Sequence, residues 1–199
     1  MSAEIGGTKV TLKQETEYPR NGKIILRVDP QRPARFVLKL RIPNWSAATM
    51  VKLNGTPVEN VSPGAYCAVD REWKAGDEVT IDLDMSLRLW SGEKECAGKA
   101  SIYRGPILLA YEVDDPAAAA MPTLDAAMLD SKLEEKRGDA SRRPLLGLRF
   151  ADANGRDVPL IDYGSAGENG ARYATWLPVK NAPSAKFSPA NPLRTARAK

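Results

Sequence analysis

A chain of 199 residues with 43% hydrophobic and 27% charged side chains has an ordinary globular composition and can hold one large or two small cores. No apolar run approaches the roughly 20 residues needed to cross a bilayer as a helix. Histidine is absent, which excludes Ser–His and Cys–His nucleophilic catalysis and any His-ligated metal within this chain.

The formal charge of +4 is local. Residues 180–199 carry Lys180, Lys186, Arg194, Arg197 and Lys199 and no acid, while the other 179 residues hold 24 basic and 25 acidic groups. A nucleic-acid footprint needs Lys and Arg gathered on one surface element, so no nucleic-acid partner is expected, and no membrane either. The N-terminus, MSAEIGGTKV, shows neither the basic nor the apolar region of a signal peptide, and the sequence points to no compartment. Cys67 and Cys96 are too few for a disulfide framework and lack metal-site spacing. Cys67 falls within a strand pattern as a small buried hydrophobe.

The first alternating stretch is KVTLK at 9–13, with Val10 and Leu12 facing together. Tyr18-Pro19-Arg20-Asn21-Gly22 is turn chemistry, since Asn-Gly readily takes positive φ. In residues 24–28, Ile24, Leu26 and Val28 point inward, and Ile25 and Arg27 outward. Residues 36–45, FVLKLRIPNW, carry the clearest signal: Phe36, Leu38, Leu40 and Ile42 share one face, and Val37, Lys39 and Arg41 the other. Pro43 ends that ladder because it has no N–H to donate.

Asn54-Gly55 is a type I′ hairpin dipeptide between a strand at 50–53 and a return strand at 58–61. Residues 65–69 read as a strand closed by loop residues 70–77. Residues 78–85 then alternate, with Val79, Ile81, Leu83 and Met85 inward. Residues 91–98 are polar and mark a boundary. Residues 100–112 are extended but interrupted by Gly105-Pro106, so they form two strands or one strand broken by a bulge. An Ala/Pro-rich linker follows at 114–122. Residues 123–137 suggest a helix, with Thr123 as N-cap and Leu124, Met128 and Leu133 on one stripe. Short strands are expected at 145–150, 158–161 and 171–177, and little order from Pro178 onward.

Turn signals about every eight to twelve residues between short strands indicate an all-β protein of antiparallel β-sandwich type. Two sandwich-like units are expected, at residues 1–98 and 99–179, with at most one short helix and a basic Pro/Ala-rich tail at 180–199.

No catalytic constellation emerges. Asp82 and Asp84 lie on the outward face of one strand and Glu93 and Glu95 in a loop, with no partner motif to complete a glycosidase pair. Trp45, Trp73, Trp90 and Trp176 are candidates for carbohydrate contact, the first three foremost, because aromatic faces stack on the apolar faces of sugars; core or interface packing is the competing role for each. Asn44-Trp45-Ser46 and Asn60-Val61-Ser62 fit the N-glycosylation pattern, which bears only on a eukaryotic secretory context. No cofactor and no metal are expected.

Four phrases occur in a telling order: LRIPNW at 40–45, VKLNG at 51–55, REWKAGD at 71–77 and YRGPILLAYE at 103–112. Together they resemble the C-terminal β-sandwich region of glycoside hydrolase family 127, the β-L-arabinofuranosidase-like enzymes. ETEYPRNGKI at 15–24 fits the strand that follows that family's catalytic barrel, and DYGSAGENGARYATWLPV at 162–179 resembles its closing segment more loosely. In that family an upstream (α/α)6 barrel carries a zinc-bound cysteine nucleophile with Glu and further Cys ligands, and a separate Glu as acid/base. None of these residues maps onto this sequence, and Cys67 and Cys96 do not match the ligand motif. The resemblance implies a non-catalytic accessory domain that packs on a helical catalytic barrel, with a second copy in a homodimer as a further partner. A carbohydrate-binding module acting alone is the alternative.

Overall fold

The computed structural model describes residues 1–113, 121–128, 134–136, 146–152, 154–168 and 170–181. They divide into two compact units, Met1–Ser86 and Leu87–Lys199. As expected, the architecture is almost entirely β, and among the described residues the strands pair antiparallel with one short parallel exception.

The first unit contains β1 (Ser2–Ile5), β2 (Thr8–Thr16), β3 (Lys23–Pro30), β4 (Ala34–Arg41), β5 (Met50–Leu53), β6 (Thr56–Pro57), β7 (Tyr66–Trp73) and β8 (Asp77–Asp82). Six of these form a sheet in the order β1-β2-β3-β8-β5-β6, and β4 pairs with β7 as a separate two-stranded ribbon. Val10, Val28, Val51, Val79 and Ile81 from the sheet and Leu40, Ile42, Cys67, Val69 and Trp73 from the ribbon side form one buried cluster. This is a sandwich of unequal layers. The alternation read in 36–42 is realised: Leu40 and Ile42 are buried, Phe36 and Leu38 pack against the cluster, and Val37, Lys39 and Arg41 are exposed.

Details of this unit differ from the sequence reading: β8 ends at Asp82, so Met85 lies beyond the strand and is only half-buried. After Asn54 (φ 48°) and Gly55 (φ 84°), the return strand is Thr56–Pro57 rather than 58–61. Pro57 offers no N–H to extend the ladder, and Asn60 turns to φ 58°, outside any strand geometry. β7 continues through Arg71 and Glu72, read above as loop, because Phe36↔Arg71, Arg35↔Glu72 and Ala34↔Trp73 complete the register with β4. The strand was masked in the sequence by Arg71, a cation at an inward-facing position. Ser2–Ile5, to which no element was assigned, pairs with β2 across Gly6-Gly7.

The second unit contains β9 (Leu87–Ser91), β10 (Lys99–Arg104), β11 (Ile107–Val113), β12 (Leu124–Asp125), β13 (Glu134–Lys136), β14 (Gly147–Ala151), β15 (Asp157–Asp162), β16 (Arg172–Ala174) and β17 (Leu177–Lys180). The sheet runs β12-β17-β10-β11-β15-β14-β13, with β9 beside β10 and β16 beside β11. β9, in residues the sequence reading placed in its first unit, aligns with β10 from Leu87↔Arg104 to Ser91↔Ala100. Gly105-Pro106 resolves into a tight turn joining β10 and β11, with Gly105 at φ 54°. Ile102, Leu109, Leu124, Leu148, Phe150, Leu160 and Leu177 are among the residues of this unit's own core.

Among the described residues, the helix expected at 123–137 is not formed. Leu124–Asp125 pair in parallel with Val179–Lys180, Ala126–Met128 make one 3-10 turn, and Glu134–Lys136 are a strand; residues 129–133 and 137 lie outside the described residues. The cause is tertiary: Leu124 is fully buried in the core, a contact worth more than a thin helical stripe exposed to water. Order also extends beyond Pro178, through the end of β17 at Lys180; residues 182–199 lie outside the described residues.

The register of β4 makes a direct prediction. Leu40→Asp should lower stability by several kcal/mol, because an unpaired ion is placed in the core, whereas Lys39→Asp should leave thermal unfolding nearly unchanged. Equal effects of the two substitutions on thermal unfolding would contradict the register.

Candidate functional site

The three candidate tryptophans have different surroundings. Trp73, the last residue of β7, is 0% exposed. Its ring stacks on Phe36 at 5.6 Å, its Nε1–H donates to the Phe36 carbonyl at 3.0 Å, and the Arg71 guanidinium lies 5.5 Å from its centre. No face of Trp73 remains for a ligand. Trp45 is half-buried against the same core. Trp90, on β9 of the second unit, is 39% exposed and tilted against Tyr103 at 6.4 Å. Trp45 and Trp73 thus share the core of the first unit, while Trp90 belongs to the other.

The buried carboxylates, Asp77, Asp152 and Asp162, bond to turns and loops. Asp77 is the clearest example. It is nearly buried, accepts hydrogen bonds from Asn54 Nδ2 at 2.7 Å and the Lys74 N–H at 2.8 Å, and lies 3.5 Å from Arg71 Nη2. Asn54 in turn accepts the Glu78 N–H at 2.8 Å, and Asp29 accepts the Gly76 N–H at 2.8 Å. The phrases VKLNG and REWKAGD therefore meet in space: one supplies Asn54, the other Arg71, Lys74 and Asp77. Burial alone would raise the Asp77 pKa, but the hydrogen bonds from Asn54 and Lys74 and the charge of Arg71 outweigh it and hold the pKa below its ordinary value.

In the second unit, Asp152 accepts the Arg156 and Asn154 N–H groups at 2.8 and 2.9 Å, and its pKa is lowered mainly by the first of these. Asp162 accepts the Ser165 hydroxyl on both oxygens at 3.0 Å. Asp84 folds its own carboxylate onto the Ser86 N–H at 3.0 Å, while Glu93 and Glu95 are exposed around the 3-10 turn Lys94–Cys96. The Cys67 thiol is pushed up by burial and is a poor nucleophile; both cysteines are free. Among the described residues no group of three or more His, Cys, Asp or Glu side chains is arranged to hold a metal ion. Of the two glycosylation-pattern tripeptides, the first has its Ser46 hydroxyl buried, bonding Thr49 Oγ1 and the Asp84 N–H.

Sequence reasoning passed over Tyr163, Tyr173 and Glu112. The Tyr163 and Tyr173 rings meet edge to face at 5.7 Å and stay about half exposed. Glu112 lies opposite Tyr173 in the β11–β16 register and accepts the Gly167 N–H at 2.9 Å. The available signal was the DYGSAGENGARY phrase itself, Gly-rich between two tyrosines.

Two measurements check this geometry. Trp73→Ala should cost about 3–5 kcal/mol in denaturant unfolding, the loss typical of a fully buried aromatic. Asp77, with its folded-state pKa depressed, contributes stability that is present above the unfolded carboxylate value near ~4 and is lost as pH falls through the folded value. The melting-temperature gap between wild type and Asp77→Asn should therefore be wide at pH 6 and narrow at pH 3; a gap independent of pH would contradict the assignment.

Residues 1–85 match the family model described as the middle domain of the family 127 β-L-arabinofuranosidases. The sequence phrases had placed the resemblance in that family's C-terminal region; the matching description is a middle domain. No curated protein sequence matches the chain. Among solved structures, a glycoside hydrolase is similar at 25% identity and a TM-score of 0.76, covering 90% of this chain and 34% of its own. A family 127 β-L-arabinofuranosidase from Geobacillus stearothermophilus T6 is similar at 28% identity and 0.73, covering 90% and 32%. A family 127 β-arabinofuranosidase is similar at 25% identity and 0.70, covering 90% and 33%. The chain spans about a third of the length of these structures. Its first 85 residues thus match the middle domain of the β-L-arabinofuranosidase family, and most of the chain is similar in fold to one part of such glycoside hydrolases.

Proposed function

We propose that this chain serves as a non-catalytic accessory region of a β-L-arabinofuranosidase-like glycoside hydrolase, packing on a helical catalytic barrel and supporting its shape. The observation that carries the reading is the match of residues 1–85 to a middle domain, together with similarity to only about a third of each solved enzyme. The chemistry of the chain agrees with it. The sequence has no histidine, and the most buried carboxylates, Asp77, Asp152 and Asp162, are occupied with backbone and side-chain donors of their own turns. A glycosidase needs two carboxyl groups facing each other across a substrate.

The first unit offers a surface for such packing. The outward face of the β4–β7 ribbon exposes Val37 and Tyr66, with Arg41 5.6 Å over the Tyr66 ring. An aromatic beside an arginine is the composition favoured at buried interfaces. In this reading the second unit extends the accessory region toward the C-terminal end of the parent enzyme, and a second copy of that enzyme is a further partner.

The isolated chain should therefore not hydrolyse aryl arabinofuranosides or other aryl glycosides, with or without added zinc. Turnover that survives repurification and disappears when a carboxylate of this chain is replaced would refute the accessory reading.

A further inference from the structure

We propose that Tyr163, Tyr173 and Glu112 in the second unit form a contact site for a neutral oligosaccharide, separate from the three tryptophans. The site is built from two neighbouring strands and one loop. β11 and β16 place Glu112 and Tyr173 directly opposite each other, which puts both side chains on one face of the ladder. The chain leaving β15 brings in Tyr163, whose N–H donates to the Leu108 carbonyl at 2.9 Å. The two rings sit 5.7 Å apart at 73° to each other, with 48% of Tyr163 and 46% of Tyr173 exposed.

Residues 162–167 of the loop between them are held in place. Asp162, nearly buried, accepts the Leu146 N–H at 3.2 Å and the Ser165 hydroxyl at 3.0 Å, which fixes the start of the loop. Gly167, at φ 78°, donates its N–H to Glu112 Oε1 at 2.9 Å; a side chain there would press on the Tyr173 ring, because its Cβ would lie 2.9 Å from the nearest ring carbon. Glycine is thus required both by the backbone angle and by the ring packed on it.

A sugar is the occupant this chemistry suits. Its C–H faces pack on aromatic rings, and its hydroxyls need acceptors fixed beside those rings. Here one carboxylate oxygen is anchored by Gly167, which orients the other, and the neighbouring Tyr163 pushes the Tyr173 phenol pKa up, so it stays a neutral donor. A held aromatic and a held acceptor lose little conformational freedom on binding. A protein-docking patch would want a broader apolar area around the rings than two tyrosines and a glutamate supply.

The test is titration of the full chain with three neutral probes, arabinotetraose, xylotetraose and cellotetraose, followed by amide chemical shifts. At least one should give saturable shifts centred on Tyr163, Tyr173 and Gly167 with a millimolar Kd. Tyr173→Ala should weaken binding about tenfold, as expected for one aromatic contact, while Tyr173→Phe should keep most of it and Trp90→Phe should leave it unchanged. If Tyr173→Ala disturbs the loop packed on it, Tyr163→Ala carries the same expectation with Gly167 untouched. Absence of saturable shifts with all three sugars, or binding indifferent to both tyrosine-to-alanine variants, overturns the site. Concentration-dependent self-association lost in those variants, without sugar binding, overturns it in favour of a protein contact.

Discussion

A two-stranded ribbon is not stable alone in water, so the β4–β7 pair exists only because a larger sheet lies beneath it. That dependence governs the first unit. Phe36, Leu38, Leu40 and Ile42 must be covered, and the six-stranded sheet covers them with Val10, Val28, Val51, Val79 and Ile81. Trp73 locks the arrangement by filling the interior, stacking on Phe36 and satisfying its one N–H on the Phe36 carbonyl. A buried indole without that acceptor would carry an unpaid desolvation cost, so position and hydrogen bond are selected together.

The same economy explains why the polar groups look structural. Asp77 closes the turn that leads into β8, and Asn54 ties the β5 hairpin to it, so that two sequence phrases far apart in the chain share one network. In the second unit Asp152 and Asp162 do the same for their loops. At Asp77 and Asp152 these donors hold the pKa down, which keeps the carboxylate ionised and makes it a poor general acid near neutral pH. The absence of histidine removes the commonest alternative.

Strands with clean alternation were legible in the sequence. Residues 24–28, 36–42 and 78–83 showed it because one face is buried and the other wet, which is the condition that writes a period of two. Elements failed to show where tertiary contacts overrode local pattern. Arg71 interrupts the apolar face of β7 because its cation is accommodated over Trp73 and beside Asp77, neither adjacent in sequence. Leu124 was read as helical, yet it is drawn into the core of the second unit by a two-residue parallel pairing that no local rule anticipates. The site was less legible than the fold. Tryptophans attracted attention as residue types, but exposure decides whether a ring can meet a ligand, and exposure depends on the fold. Tyr163, Tyr173 and Glu112 come from three separate segments, brought near each other by the β11–β16 pairing and the chain leaving β15.

These observations describe a chain whose buried interactions hold two β units, each with its own core. Its first 85 residues match a middle domain, and most of the chain is similar to about a third of larger glycoside hydrolases, which is the basis of the accessory role proposed above. The most direct test is the nucleotide sequence immediately upstream of the Met1 codon. The account predicts an open frame, continuous with this one or in the adjacent gene, that encodes a helical barrel bearing the family's Cys/Glu cluster. Upstream sequence that encodes no such domain would contradict it.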